Sequence, residues 1–205
     1  MEWIVFDFGG VISTSPPDAA GAALARGVGV SQEELWAAYW INREAYDAGA
    51  IDAAGFWADL CARLDRPAPD GRRLDALMAD DLAAWMHVDQ GTVDLLAELA
   101  EQDVPLALLS NAPSGMARLI EEQPWSAVFR HRLFSADLGL TKPDPRIFGR
   151  LCERLDARPG DLLFVDDRPE NLDAARALGI ESVLFTDALG LRAELGRTRV
   201  GGSLR

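Results

Sequence analysis

The sequence predicts an α/β fold: a Rossmann-like, doubly wound parallel sheet with an inserted helical-bundle cap domain. Short apolar runs alternate with amphipathic stretches from about residue 89 onward, which is the pattern of strands joined by helices. The stretch from about residue 17 to residue 85 has helical character only, so it interrupts that pattern after the first strand. Polar residues directly follow the apolar runs, where sheets of this kind bind their ligands.

Apolar runs are predicted to form the strands. The first is Trp3–Phe8, which is followed by two glycines and is apolar enough to be buried on both faces. The alternation places helices on both faces of a parallel sheet. The later strands are expected at Val104–Leu109, Leu133–Ser135, Leu162–Val165 and Ser182–Phe185, and the helices at Thr92–Glu101, Pro113–Glu122, Pro145–Asp156, Glu170–Leu178 and Leu189–Leu195.

The helical insert is predicted to be a separate domain of three or four helices. Ser31 and Glu34 have the spacing of a capping box that starts one of them, and glycines and prolines divide the rest. Its tryptophans are expected to pack in its interior, or else to form an aromatic wall towards a substrate. The expected boundaries are residues 14–88 for the cap domain, 1–13 and 89–205 for the core domain, 197–205 for a loose tail, and 13–17 and 88–91 for the hinges.

Composition restricts the partners of the chain. Its 205 residues carry a net charge of −13, so we expect no binding to nucleic acid, which requires a basic surface. No apolar run approaches the roughly 18 residues of a membrane span, and we expect no signal peptide. Cys61 and Cys152 lie in predicted helices and are expected to be reduced thiols. We therefore expect a cytoplasmic protein, a monomer or a homodimer, that does not bind membranes.

The polar residues that follow the strands form one group. Each of them alone could belong to an ordinary turn, but the carboxyl ends of parallel strands meet at one edge of a sheet. Lys142 is the only lysine among 20 basic residues, which indicates that a compact ammonium is needed at this position. The group consists of Asp7, Ser110, Asn111, Lys142, Asp166 and Asp167.

This group of residues suits phosphoryl transfer. Three carboxylates bind a hard cation through oxygen, and Mg²⁺ is the usual ion beside phosphate. Its charge would also offset the acidic field that otherwise repels a small phosphorylated substrate. A carboxylate held beside that ion can attack phosphorus and form an acyl phosphate. The hydroxyl, a backbone N–H and the lysine would bind the remaining phosphoryl oxygens.

Four sequence motifs resemble those of the haloacid dehalogenase-like hydrolases. Phe6–Val11 (FDFGGV) resembles the first motif, Leu108–Asn111 (LLSN) the second, Lys142–Pro143 the third and Val165–Asp167 the fourth. Their order and spacing fit the whole chain, and the helical insert resembles the cap of that superfamily. The chain is most similar to the branch of the sugar-1-phosphate phosphatases and of the N-terminal phosphatase domain of epoxide hydrolases.

The resemblance implies a Mg²⁺-dependent phosphatase that hydrolyses a small phosphorylated metabolite, with sugar phosphates among the candidates, through an aspartyl phosphate. Asp7 would be the nucleophile, and Lys142 and Ser110 would complete the catalytic set. The metal ligands would be Asp7, Gly9, Asp166 and Asp167, phosphate would be bound by Ser110, Asn111, Lys142 and Gly10, and Asn171 would support the metal site.

One position departs from the pattern of this family. Its phosphatases usually carry a second Asp two residues after the nucleophile, which acts as general acid and then base, and here that position is Gly9. Because general acid–base help is worth roughly 10²–10⁴-fold, we expect slower hydrolysis that favours anomeric, acyl and aryl phosphates, whose leaving groups have a low pKa. An acid from the cap could substitute, and the candidates are Glu44, Asp47 and Asp52.

Three other functions fit parts of the pattern. A haloacid dehalogenase would also use an Asp nucleophile without the second Asp, but it needs no metal, and the acidic pair Asp166–Asp167 disfavours it. Gly9 leaves open a non-catalytic protein that binds a phosphorylated metabolite. A signalling receiver domain carries similar groups, but in the reverse order along the chain.

Overall fold

A computed structural model describes residues 3–197, and it confirms the predicted α/β fold class. The strands form one parallel sheet in the order β3-β2-β1-β4-β5, so that β1 lies in the centre between β2 and β4. Central strands are buried on both faces, which explains their continuous apolar sequence. The strands are β1 at Trp3–Phe6, β2 at Leu106–Ser110, β3 at His131–Phe134, β4 at Leu162–Asp166 and β5 at Glu181–Leu184.

Core helices cover both faces of this sheet. On one face, Leu96, Ile120 and Leu195 pack with Phe6, and on the other face Phe148 packs among side chains of alternate strand positions. Each such side chain stabilises the fold by about 1.5–3 kcal/mol through burial. The helices are α6 at Gln90–Glu101, α7 at Ser114–Glu121, α8 at Ser135–Leu138, α9 at Pro145–Leu155, α10 at Pro169–Ala177 and α11 at Ala188–Arg197, with short 3₁₀ helices at Pro124–Val128 and Pro159–Asp161.

The insert contains five helices, so the prediction of three or four was wrong. They enclose a hydrophobic core of their own, in which Leu35, Trp57 and Leu77 are fully or almost fully buried. The predicted capping box is present, because Ser31 and Glu34 each accept a hydrogen bond from the other's backbone N–H. The helices are α1 at Asp18–Val28, α2 at Gln32–Tyr39, α3 at Arg43–Asp47, α4 at Ala53–Arg63 and α5 at Gly71–Trp85.

The two segments that connect the insert to the sheet lie side by side. The Thr14 N–H donates to the His87 carbonyl at 2.7 Å, and the Asp89 N–H donates to the Ile12 carbonyl at 2.8 Å. These segments coincide with the predicted hinges, while the domain boundaries themselves stay a prediction. Of the predicted loose tail, Arg197 is the last residue of α11 and residues 198–205 lie outside the described residues. No helix within residues 3–197 combines the length and apolar character that crossing a membrane requires.

The third strand begins earlier than predicted. His131 and Arg132 belong to β3, whereas Ser135, which was expected in the strand, begins α8. β3 is an edge strand that pairs only with β2 in the described sheet, so its first residues are partly exposed and polar side chains are tolerated there. The position of Ser135 in α8 has a consequence for the site, because its hydroxyl contacts the insert.

Candidate active site

The register of the two central strands brings Asp7 beside Asp166. Phe6 pairs with Val165, and the Asp7 N–H donates to the Val165 carbonyl at 2.9 Å. Asp7 therefore follows β1 at the level at which Asp166 ends β4. Both side chains are buried, with Asp166 fully inaccessible.

Lys142 contacts both of these carboxylates. Its Nζ lies 2.8 Å from Asp7 Oδ1 and 2.6 Å from Asp166 Oδ2. Burial alone would lower the pKa of Lys142, but the charges of Asp7 and Asp166 more than offset it, and the pKa lies above its ordinary value. The lysine is therefore a permanent cation, and removing it would leave two buried carboxylates without their counter-charge, which typically costs about 3–5 kcal/mol.

The Asp7 carboxylate is held at one oxygen. Its Oδ1 accepts hydrogen bonds from the Phe8 N–H at 2.7 Å and from Lys142. Burial raises the pKa of Asp7 to about 7, since it outweighs the opposing charge of Lys142, and Asp166 adds to the rise. A second cation beside this carboxylate would offset both causes of the rise and keep it ionised.

Three carboxylates are placed to share such a cation. Asp7, Asp166 and Asp167 each offer an oxygen within 4.8 Å of the others. Asp167 is exposed, and partial burial together with the charge of Asp166 raises its pKa. The donor set consists of oxygen only and suits Mg²⁺.

The surroundings of Asn171 also fit a bound cation. Its amide N–H₂ group donates to both oxygens of Asp166, at 2.9 and 3.0 Å. Its buried Oδ1 has no hydrogen-bond partner among the described residues. A buried acceptor without a partner is costly, and a hydrated cation supplies the missing donors. The residues present therefore fit a bound Mg²⁺ ion.

Gly10 makes room for Asp167. Its φ of +73° is a conformation that side-chain-bearing residues rarely adopt, and a Cβ there would lie 2.2 Å from Asp167 Oδ2. Gly9 is different, because no atom lies within 4 Å of a Cβ built on it. Both glycines line the cavity described below, and their roles in binding phosphate and metal stay predictions.

Ser110 and Asn111 lie at the end of β2, on the same edge as Asp7. Ser110 is the last residue of the strand and is buried. The Asn111 side chain accepts from the Lys142 N–H at 2.8 Å and donates to the Lys142 carbonyl at 2.9 Å. It therefore positions the backbone of Lys142, a role that the sequence did not indicate. Its own backbone N–H stays the predicted phosphate ligand.

A cavity of about 240 Å³ lies between the sheet edge and the insert, and its core-side lining includes Asp7, Asn111, Lys142 and Asp167. Ser110 and Asp166 are almost fully buried and are not among the residues that line it. The insert contributes Trp40, Arg43, Asp47 and Trp85 to its walls. The tryptophans of the insert thus divide: Trp57 is packed in the interior, whereas Trp40 is 53% exposed and faces the cavity with Trp85. The prediction of interior packing is thus confirmed for Trp57, while an aromatic wall of Trp40 and Trp85 towards a substrate stays a prediction.

Arg43 is a cavity residue that sequence reasoning missed. Its Nε donates to Asp47 Oδ1 at 2.7 Å, and its guanidinium also contacts the Tyr39 hydroxyl, which in turn donates to Asp81 at 2.7 Å. All four polar groups are buried or nearly so. The only signal in the sequence was the i, i+4 spacing of Arg43 and Asp47, which is common on exposed helices.

The three candidate acids of the insert have different surroundings. Asp47 lines the cavity. Glu44 is exposed and accepts a hydrogen bond from Thr141 Oγ1 at 3.2 Å, while Asp52 caps α4 by accepting from the Gly55 N–H at 2.8 Å. Neither Glu44 nor Asp52 is among the residues that line the cavity.

Comparisons with known proteins identify the family of this chain. A family model described as haloacid dehalogenase-like hydrolase matches residues 1–179. The sesquiterpene phosphatase astK of Aspergillus oryzae is 25% identical over 193 residues, which cover 93% of this chain and 93% of that protein. The phosphoglycolate phosphatase of Pectobacterium atrosepticum is 28% identical over 190 residues, covering 91% of this chain and 80% of that protein.

A solved structure shares the fold. It is that of the HAD family enzyme bt-2542 from Bacteroides thetaiotaomicron, in a complex with magnesium and inorganic phosphate. Its TM-score is 0.74 at 19% sequence identity, over 91% of this chain and 94% of that chain. At this identity the likeness shows a common architecture.

Proposed function

Since this chain belongs to the haloacid dehalogenase-like hydrolase family, we propose that it is a Mg²⁺-dependent phosphatase that forms an aspartyl phosphate on Asp7. The observation that carries the proposal is the buried contact of Lys142 with both Asp7 and Asp166, beside the exposed carboxylate of Asp167. This arrangement offers a nucleophile, a fixed cation and an oxygen-only ion site at the edge of one sheet.

Each residue of the site has a separate role in the proposed reaction. Lys142 and the Phe8 N–H fix one oxygen of Asp7, and the other oxygen attacks phosphorus. The bond from phosphorus to the leaving-group oxygen breaks, and water then hydrolyses the aspartyl phosphate. Lys142 and the Ser110 hydroxyl stabilise the charge of the transferring group, and Asn111 positions Lys142 through its backbone.

The metal would be held by Asp7, Asp166, Asp167 and the carbonyl of Gly9. When bound, Mg²⁺ supplies positive charge that neutralises the phosphoryl oxygens and orients them for in-line attack. Asn171 and the Arg168 N–H donate hydrogen bonds to the Asp166 carboxylate and so fix its orientation.

The substrate is a small phosphorylated metabolite. A cavity of about 240 Å³ with Trp40 and Trp85 on one wall and the pair Arg43–Asp47 beside them suits a compact leaving group with an apolar face, and sugar phosphates are among the candidates. The sesquiterpene phosphatase and the phosphoglycolate phosphatase named above support the proposed reaction, and they do not indicate the substrate. We further propose a cytoplasmic monomer or homodimer, in keeping with the free thiols of Cys61 and Cys152.

Two alternatives remain testable. Gly9 favours a non-catalytic protein that binds a phosphorylated metabolite, because the position lacks a carboxyl group. A haloacid dehalogenase is disfavoured by the acidic pair Asp166–Asp167, since displacement of halide from carbon needs no metal. The first alternative predicts binding of phosphate without turnover, and the second predicts halide release without Mg²⁺.

Replacing the nucleophile tests the proposal. Release of phosphate is measured with and without Mg²⁺. The substrate is para-nitrophenyl phosphate, because its leaving group, para-nitrophenolate, departs without protonation. Wild type should release phosphate only with Mg²⁺, and Asp7→Asn should reduce the rate roughly 10³-fold or more, since no other group can form the covalent intermediate. The control is Asp173→Asn, which removes an exposed carboxylate on α10.

The folded state of both variants is checked by thermal unfolding. Undiminished turnover in Asp7→Asn would exclude Asp7 as the nucleophile. No turnover in wild type that binds Mg²⁺ would favour the non-catalytic alternative.

A further inference from the structure

Helix α3 is the element of the insert that is joined to the loops of the site. The Ser135 hydroxyl donates to the Asp47 carbonyl and accepts from the Ala112 N–H at 2.9 Å, and Ala112 follows the phosphate-site residue Asn111. Thr141, which precedes Lys142, donates to Glu44 at 3.2 Å. Hydrogen bonds from both sides thus hold α3 in place beside the catalytic lysine.

The Asp47 side chain lies in the cavity that Asp7 also lines. It is 9% exposed, and one of its oxygens, Oδ1, accepts from Arg43. Within residues 3–197 no hydrogen bond joins its other oxygen, Oδ2, to a protein group. Asp47 therefore brings a fixed carboxyl group with one uncommitted oxygen to the cavity that Gly9 also lines.

We propose that Asp47 is the general acid and base of the reaction, in place of the carboxyl group that is absent at position 9. The inference rests on the proposed function, because it assigns a proton donor to that same site. Asp47 is the one of the three candidate acids that lines the cavity, whereas Glu44 and Asp52 hydrogen-bond elsewhere.

The proton transfers balance over two steps. In the first, an Asp7 oxygen forms a bond to phosphorus, and the bond from phosphorus to the leaving oxygen breaks. That oxygen keeps the electron pair and takes the proton of the Asp47 carboxyl group. In the second step a water oxygen attacks phosphorus, the bond to Asp7 breaks and returns its electron pair to Asp7, and the Asp47 carboxylate takes a proton from the water.

The surroundings of Asp47 support a proton donor near neutral pH. Burial raises the pKa of Asp47 to about 6, although Arg43 opposes the rise, and the charges of Asp81 and Glu44 add to it. The charged groups that act on it most strongly are Arg43 and Glu44 from its own helix and Asp81 from α5. The charged core residues that share its cavity are Asp7, Lys142, Asp167 and Arg168. A catalytic acid works best with a pKa close to the working pH.

Two esters of similar shape test the proposal. Para-nitrophenyl phosphate has a leaving group that departs as an anion, whereas benzyl phosphate releases an alcohol that must be protonated. In Asp47→Asn, kcat/KM for benzyl phosphate should fall roughly 10²–10⁴-fold, and kcat/KM for para-nitrophenyl phosphate should change less than about threefold. The parameter kcat/KM reports the first step, so it isolates the acid from the later base.

The matched control must leave the pKa of Asp47 unchanged. Asp81 is unsuitable as a control because its charge raises the pKa of Asp47, so Asp52→Asn is used instead. It alters another candidate acid, which caps α4 and does not line the cavity, so it should change both esters by the same factor. An equal fall for both esters in Asp47→Asn, or no fall for either, would overturn the role of Asp47. Failure of the proposed function would give a different result, namely that Asp7→Asn turns over para-nitrophenyl phosphate as fast as wild type.

The pH dependence of wild type gives a second test that needs no variant. The acid form of Asp47 is required, so the ratio of kcat/KM for benzyl phosphate to that for para-nitrophenyl phosphate should be constant below pH 6. It should fall as the pH rises through about 6, because the carboxyl group loses its proton. Ionisations of the enzyme that both reactions share cancel in the ratio. Each kcat/KM is expressed per concentration of the substrate dianion, because the two esters differ in their second pKa. A ratio that stays constant from acid to alkaline pH would overturn the proposal.

Discussion

Two glycines beside the nucleophile have opposite surroundings. Gly10 has a φ of +73° and leaves no room for a Cβ, which would collide with the Asp167 carboxylate. Gly9 has open space around it. The family acid is thus absent at Gly9 for a reason other than lack of space, while the glycine at position 10 is required by the position of Asp167.

Replacing Gly10 should therefore weaken the metal site. Gly10→Ala forces Asp167 to move, and we expect Mg²⁺ affinity to fall at least about tenfold, or roughly 1.4 kcal/mol, when it is measured by calorimetric titration. Gly139→Ala is the control, because Gly139 also has a positive φ of +65° but no atom within 4 Å of a Cβ. Equal Mg²⁺ affinity in Gly10→Ala and wild type would contradict the assignment of Asp167 as a ligand.

The core residues of the site were predictable for a physical reason. Asp7, Asp166 and Lys142 follow apolar runs, and parallel strands bring their carboxyl ends to one edge. The contact of Lys142 with Asp166, in addition to Asp7, was not predictable, because it depends on the loop that Asn111 positions. Asp47 remained one of three candidates, since nothing in a helical sequence shows which face meets the cavity.

At the scale of elements, α6 begins where the chain returns from the insert to the sheet. Its N-cap residue, Asp89, accepts from the Thr92 N–H at 2.7 Å and from the Thr92 hydroxyl at 3.0 Å. These bonds satisfy one of the free N–H groups at the start of the helix. Asp70 occupies the N-cap position of α5 but makes no side-chain capping bond.

The two caps form a matched pair of variants. Asp89→Ala should lower the free energy of unfolding by about 1 kcal/mol, measured by urea titration, because an N–H group of α6 loses its acceptor. Asp70→Ala should cost much less. An equal loss in both variants would show that the side-chain hydrogen bond of Asp89 does not stabilise the helix.

Short elements escaped the sequence prediction. Helices α3 and α8 have five and four residues, too few to show a helical period. They are nevertheless the elements that join the insert to the core, through Ser135 and the Asp47 carbonyl. Helix α9 was predicted to within one residue, because its apolar face is continuous.

At the scale of the whole molecule, charge and architecture act together. The net charge of −13 repels phosphate esters, and the site adds three carboxylates against one lysine. Under the proposed function, the cation that these carboxylates attract offsets this repulsion. The insert has a core of its own and lines the cavity at this edge of the sheet, so it would shield the proposed aspartyl phosphate from bulk water.

The fold class was predictable from alternation alone, and the structure confirms it. The placement of the insert over the site was not, because it depends on contacts between residues far apart in sequence, such as Glu44 and Thr141. The periodicity of a sequence does not predict which distant residues are in contact.

Trapping the covalent intermediate tests the central claim most directly. Wild-type protein with Mg²⁺ is mixed with para-nitrophenyl phosphate labelled in its phosphoryl group, quenched with acid within the first turnovers, and digested for peptide mapping. The account predicts a label on the peptide that contains Asp7, which disappears during a chase with unlabelled ester and is absent from Asp7→Asn. Turnover with the label on another peptide, or with Asp7→Asn labelled as wild type, would contradict it.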